Sequence, residues 1–404
     1  MKFTRDFQSL YIAGSGNRGY NTLMENTSVK KRGIAAIFAL CPVAHTLSLV
    51  SAAVIALQLL LRRNYRLMNT LSVKVIRPLH QSMAELTSKL GAVSLAEILI
   101  GLFSAAALLY IVSETVRLIR SPGRLQRLYR LVMRLLAAGL TVYAGFCLLW
   151  GVYYYGDDFL SKSGLKNEAI SVEQLETVTV YFADMLNEYS VQTSRDENGY
   201  YCTDRADILR RSPEVFAAAE EMFPCLKGPA VSAKAVHFSR VMSYLDFTGF
   251  FFPFTAEANV NMDYPPGHFA ATVAHELSHQ RGVAKEQEAN FTAVLACPEY
   301  GDTDYVYSAC MLAYTYLGNA LHSADYGKWL MVYQGLEENV LKDMQRNRDY
   351  WQQFDTAVQS VSTTVYEGFL QSYDQTLGMK SYGACVDLLV NYYYAAAAEH
   401  YGTA

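Results

Sequence analysis

The reading of this chain turns on "ATVAHELSHQRGVAKEQEANF", residues 271–291. It holds two of the eight histidines, His275 and His279, with Glu276 directly after the first. Residues four apart on an α-helix share one face, one turn above the other. Two imidazoles so placed can approach one Zn2+ from the same side. Glu276 lies about 100° around the helix from His275. There it can reach a water on that metal and act as general base, while the metal acidifies the water and polarises a carbonyl. The small residues of "FAATVA" before the motif allow tight packing behind the site. A solvated polar helix face is the competing reading of the same letters.

A hydrolytic zinc site needs a third protein ligand and an open fourth position. Gly282 falls three residues after His279, where some HExxH enzymes turn the chain to return a third histidine. The matching position here is Lys285, which cannot ligate while protonated. Glu286 and Glu288 follow it in "EQEAN". About 200° apart on a helix, only one of them can face the metal.

The run Glu286 to Asn290 resembles the E-x-x-A-D/N signature on the second helix of gluzincin-type zinc peptidases. That resemblance implies Glu286 as third ligand and Asn290 as support for a ligand histidine, with Glu288 kept as the alternative ligand. The departure is the short connection, with only six residues between His279 and Glu286. A wider set, "LLWGVYYYG", "GFFFPFTAEANVN", "HELSHQRGVAKEQEANF" and "GMKSYGACVDLL", looks like a bacterial family of three-span membrane proteins of unknown function, from about residue 34 to 395. It implies a membrane-anchored, zinc-peptidase-like protein and names no substrate.

The membrane part follows from composition. Of 404 residues, 51% are apolar, and they are unevenly spread. Residues 33–61 carry no charge, 95–116 have one glutamate near each end, and 135–155 are uncharged and end in aromatics. Each run is near or above the roughly 20 residues that cross a hydrocarbon core. The expected spans are about 34–60, 95–116 and 135–155, with Trp150 and Tyr153 to Tyr155 suited to an interfacial belt. Residues 1–32 read as a cytoplasmic tail, 33–155 as the membrane domain and 156–404 as an extracytoplasmic domain. Six basic residues in the tail and six in 117–134 put 6 + 6 = 12 on one side, against six in 62–90. The richer side belongs in the cytoplasm, although the 62–90 link, read as a surface amphipathic element, weakens the contrast.

From residue 135 onward there are 16 Lys/Arg and 33 Asp/Glu, a net of 16 − 33 = −17. Such a domain would repel phosphates, so the expected partners are a lipid bilayer and a peptide or protein substrate, with no nucleic acid. Cys202 with Cys225, and Cys297 with Cys310, are the pairs open to disulfides.

The expected fold is mainly α: three N-terminal transmembrane helices, then a mostly helical, zincin-like soluble domain with a small β element. Residues 255–261 read as an edge strand for a substrate backbone, with Glu257 either solvated or facing the cleft. Tyr382, Tyr366, His322 and Arg348 are candidates to stabilise an oxyanion, and the resemblance at "SYG" favours Tyr382. The expected activity is that of a multi-pass, membrane-anchored zinc metallopeptidase with Glu276 as base. The alternative is a non-catalytic zinc-binding sensory or structural module. A third reading, an intramembrane protease, is disfavoured, because the histidine stretch is too short in apolar residues and too charged to span.

Overall fold

The computed structural model describes residue 33, residues 35–373 and residues 382–402, with the Tyr382 side chain outside that set. The expected tail, residues 1–32, lies outside the described residues. Three described helices are long and apolar enough to cross a membrane: α1 (Pro42–Leu61), α4 (Leu95–Arg120) and α5 (Arg124–Leu149). The third differs from the expected 135–155. It begins earlier because Arg124, Arg127, Arg130 and Arg134 fall on one stripe of a helix whose other faces are apolar. It ends at Leu149, and Gly151–Tyr155 form a separate 3-10 turn.

The described residues form two compact units. One comprises the described residues as far as Ala53 with Leu109–Val142. Inside it, polar side chains on the apolar helices pair with one another: His45 with the Tyr129 hydroxyl at 2.7 Å, and Ser51 with Thr141 at 3.2 Å. Hydrocarbon offers such groups no other partner.

The second unit comprises Val54–Leu108 and the described residues from Tyr143 onward. The link between the first two long helices therefore folds with the C-terminal region instead of lying apart as an amphipathic surface element. It contains α2 (Tyr65–Leu71), a π-helical turn (Ser72–Ile76) and α3 (Arg77–Ser88). His80 of α3 is buried against the rings of Trp150, Tyr153 and Phe251. Trp150 and Tyr153, read as interfacial, are each 6% exposed and packed in protein.

After α6 (Phe159–Ser163) the helical core begins with α7 (Val172–Ser190), started by a capping box between Ser171 and Gln174. The short α8 (Arg205–Arg211) and α9 (Ala217–Met222) lead to β1 (Lys234–Val236), α10 (Ser239–Tyr244), β2 (Gly249–Phe252) and β3 (Glu257–Asn261). Next come α11 (Phe269–Gln280), α12 (Glu286–Tyr300), α13 (Thr303–Ala324), α14 (Tyr326–Gln334), α15 (Glu338–Gln352), α16 (Ala357–Ser372) and α17 (Tyr382–His400). Phe182, Leu186, Phe291, Leu317 and Leu389 are fully buried where α7, α12, α13 and α17 meet. Cys297, Cys310 and Cys385 belong to this core as free thiols, and Cys202 and Cys225 are unpaired as well, so neither expected disulfide forms.

The sheet order is β1-β3-β2, with β1 parallel and β2 antiparallel to β3. The expected edge strand is thus the centre strand, and all five of its residues are buried. Its parallel neighbour is only three residues long, too short to carry an alternating pattern. Glu257 is neither solvated nor in a cleft. It is 2% exposed and accepts hydrogen bonds from the Leu95 and Ala96 amides and the Thr255 hydroxyl. The first amides of a helix have no partner within it, and a carboxylate there also meets the positive end of the helix dipole. Glu257 thereby ties the sheet to the start of α4. Glu257→Ala should cost about 2 kcal/mol, or about 3 °C in thermal midpoint for a unit of this size. Thermal unfolding in detergent measures it, and an unchanged midpoint would remove the cap from the account.

Candidate metal centre

α11 runs against the sheet with Ala270, Ala271 and Ala274 buried, so the backbone sits close to its neighbours. It stops at a turn in which the Val283 amide donates to the Ser278 carbonyl at 3.1 Å. Gly282 has φ +87°, a left-handed conformation that disfavours any side chain. A Cβ at Gly282 would also lie 2.9 Å from the Tyr153 ring. The turn is tight enough that Glu286, the first residue of α12, points back at α11. The short connection noted in the sequence is sufficient for that reason.

His275, His279 and Glu286 offer three ligand atoms within 4.8 Å of one another. Glu286 Oε2 lies 3.2 Å from His275 Nε2 and 3.7 Å from His279 Nε2. A tetrahedral ion with legs of about 2.1 Å requires donor separations of about 3.4 Å, so this triad has the right size for Zn2+. The far side of each ligand is held. His279 Nδ1 lies 2.7 Å from the Val283 carbonyl oxygen, which can only accept, so Nδ1 carries a proton and Nε2 is the atom left to face Glu286 or a metal. His275 Nδ1 meets Asn290 Oδ1 at 2.8 Å, and the Asn290 amide donates to the Tyr316 hydroxyl at 2.8 Å. Glu286 Oε1 accepts from the Tyr366 hydroxyl at 2.8 Å. Ligands fixed in this way lose little freedom when a metal binds. Burial alone would raise the Glu286 carboxyl, but the two imidazoles outweigh it and hold that group well below the usual carboxylate range.

Glu276 is 4% exposed, and its Oε2 has no hydrogen-bond partner among the described residues. Burial pushes its carboxyl up to about 7, with His275 and His279 pulling it back down. Gly249 of β2 backs it so closely that a Cβ there would lie 2.5 Å from Oε1. A cleft of about 610 Å³ has His275, Glu286, Asn290, Tyr316, Trp329 and Arg348 in its wall. A second of about 190 Å³ has Glu276, His279, Trp150, Phe250 and Phe369. The centre is therefore open on more than one side.

Glu288 points elsewhere. It is 3% exposed and accepts from the Phe159 amide at 2.9 Å and the Leu160 amide at 3.1 Å, capping α6. Lys285, in the place of a third histidine, pairs with Asp158. Of the oxyanion candidates, Tyr382 opens α17 and its side chain lies outside the described residues. Tyr366 has its hydroxyl on Glu286, His322 is exposed and packs edge-on to Trp329 at 4.6 Å, and Arg348 lines the large cleft. Sequence reasoning missed Trp150, whose ring stands edge-on to His279 at 5.7 Å, and also Tyr316 and Gly249. Trp150 directly follows a long apolar helix, so its position on the chain suggested lipid instead.

Residues 72–390 match the family described as "Protein of unknown function (DUF3810)". The chain belongs to that family. The match takes in α4, α5, the sheet and all three residues of the triad. No curated protein and no solved structure matches the chain.

If the triad binds as its geometry suggests, purified protein should carry about one zinc per chain by elemental analysis. Glu286→Gln should lose most of it and Asn290→Ala should weaken affinity about 10–100-fold. Glu288→Gln should keep the metal and unfold at lower temperature. Zinc lost from the Glu288 variant and retained by the Glu286 variant would reverse the ligand assignment.

Proposed function

We propose that the protein is a membrane-anchored zinc metallopeptidase that hydrolyses peptide bonds with Glu276 as general base. The observation that carries this reading is the partnerless Glu276 Oε2, buried beside three ligand atoms of zinc-site size at an open cleft. A purely structural zinc site is closed by a fourth protein ligand and has no use for such a carboxylate. A bound Zn2+ supplies a Lewis acid that acidifies water and polarises a carbonyl. His275, His279 and Glu286 would hold the ion. Asn290, the Val283 carbonyl and Tyr366 orient those three ligands. Glu276, buried beside the ligands and with its Oε2 unpartnered among the described residues, is placed to take a proton from the attacking water and pass it on to the leaving amine. Gly249 leaves room for its carboxylate.

The reading places this domain on the extracytoplasmic side. The 62–90 link folds with the C-terminal domain, and on this reading the arginine-rich 117–134 link, one crossing away from it, is cytoplasmic. Two of the six basic residues of 62–90, which weakened the charge contrast, have structural work. Arg62 donates to the Tyr155 hydroxyl at 3.1 Å, and Arg77 donates to the Lys227 carbonyl. Protease accessibility from outside intact cells reads the orientation directly.

Glu276→Gln should keep its zinc and lose peptide cleavage by about 10²–10⁴-fold. Gly249→Ala should also keep zinc and lose activity, because the added methyl displaces the Glu276 carboxylate. Both are read with a broad peptide library and chelator controls. Fully zinc-loaded wild type that cleaves nothing in a chelator-sensitive way would favour the non-catalytic zinc module.

A further inference from the structure

We propose that an apolar face shared by α10 and α16 rests in the interfacial layer of the bilayer that the long helices cross. Among the described residues beyond α5, seven of the eleven exposed large apolar side chains lie in these two helices or directly beside α10. On α16, Val358, Val361 and Val365 follow an i, i+3, i+7 spacing, which is one face of a helix. They are 55%, 64% and 68% exposed. Phe238, Val241 and Tyr244 continue the patch on α10 and the residue before it. The two segments are tied together. The Ser362 hydroxyl donates to the Leu245 carbonyl at 2.9 Å, and the Gln359 amide donates to Asp246 at 3.1 Å.

Lipid is the occupant because both ends of the patch are fastened to the membrane exits of long helices. The His237 and Phe238 amides donate to Glu97, in the first turn of α4, at 3.0 and 2.7 Å. At the other end, Phe369 of α16 packs edge-on against Phe146 of α5 with ring centroids 5.4 Å apart. Tyr373, just past α16, meets the Cys147 thiol at 3.5 Å. Phe146 and Cys147 lie in the last turn of α5. The start of one membrane helix and the end of the next face the same side of a bilayer. A patch pinned to both therefore lies at the level where hydrocarbon gives way to headgroups. One-sided apolar helices at that level bury their apolar face in the acyl boundary, and apolar patches left bare in water are uncommon.

The placement also concerns the metal centre. The turn of α16 that bears Val365 also bears Tyr366, whose hydroxyl rests on Glu286. A cleft of about 160 Å³ has Leu245, Ser362, Tyr366 and Glu286 in its wall. One opening of the centre therefore lies at the bilayer surface.

The test uses the full chain in phosphatidylcholine nanodiscs, with and without lipids brominated high on the acyl chain. Val361→Trp and Val365→Trp each add one fluorophore to the three native tryptophans. Val191→Trp, at an exposed residue closing α7, is the control outside the patch. The emission added at 361 and 365 should be quenched by brominated lipid at least about twofold more than that at 191, and should be shielded from aqueous iodide. Quenching by iodide and not by lipid at both positions would leave the face in water and overturn the proposal. Protection from both quenchers would mean that protein covers it, such as a second copy of the chain, and would overturn it equally. Neither readout depends on bound zinc, so the result stands apart from the peptidase reading.

Discussion

The Glu286 carboxylate, drawn between the His275 and His279 imidazoles, is the contact around which the C-terminal unit is arranged. Three polar groups brought this close in a mostly buried place would be costly without partners. Each has one on its far side: Asn290, the Val283 carbonyl and Tyr366. Those partners come from α12, from the turn after α11 and from α16, and the end of α5 adds Trp150 against His279. Elements far apart in the chain are thereby held at one point. Gly282 makes this possible, since only a residue at ease with positive φ lets α12 start facing back at α11.

Acidic side chains at helix starts bind the rest. Glu257 holds the first amides of α4, Glu288 holds those of α6, and Glu97 holds the backbone that leads into α10. All three carboxylates accept from backbone amides, and Glu257 and Glu288 are almost wholly buried. Burial pushes the Glu288 carboxyl up to about 7, so its amide partners only partly offset the loss of water. The strongly acidic composition of the domain is thus in part structural, and it need not describe the substrate.

Much of the centre was legible because it is local. An i, i+4 pair of histidines and an acid seven residues past the second are short-range facts, and the helix places them without help from the fold. The three apolar runs were legible for a similar reason, since length and the absence of charge need no tertiary information. The third boundary was misplaced because apolar character does not distinguish lipid from protein interior. Trp150 and Tyr153 satisfy either, and they pack beside His80 and Phe251. Strand order was hidden as well, because β3 gains its central place from a three-residue parallel neighbour some 20 residues upstream.

Sequence alone therefore determined the mainly helical class, three helices able to cross a membrane, and the HExxH helix followed by a short return to an acidic pair. All of these rest on periodicity, charge and spacing within a few turns. Tertiary structure decided which glutamate meets the histidines, because direction off a helix depends on where that helix starts. It also decided that Glu257 and Glu288 serve as caps, and that Tyr366 and Trp150 stand at the centre. Those assignments depend on contacts between segments more than 60 residues apart, where no local rule relates one side chain to another.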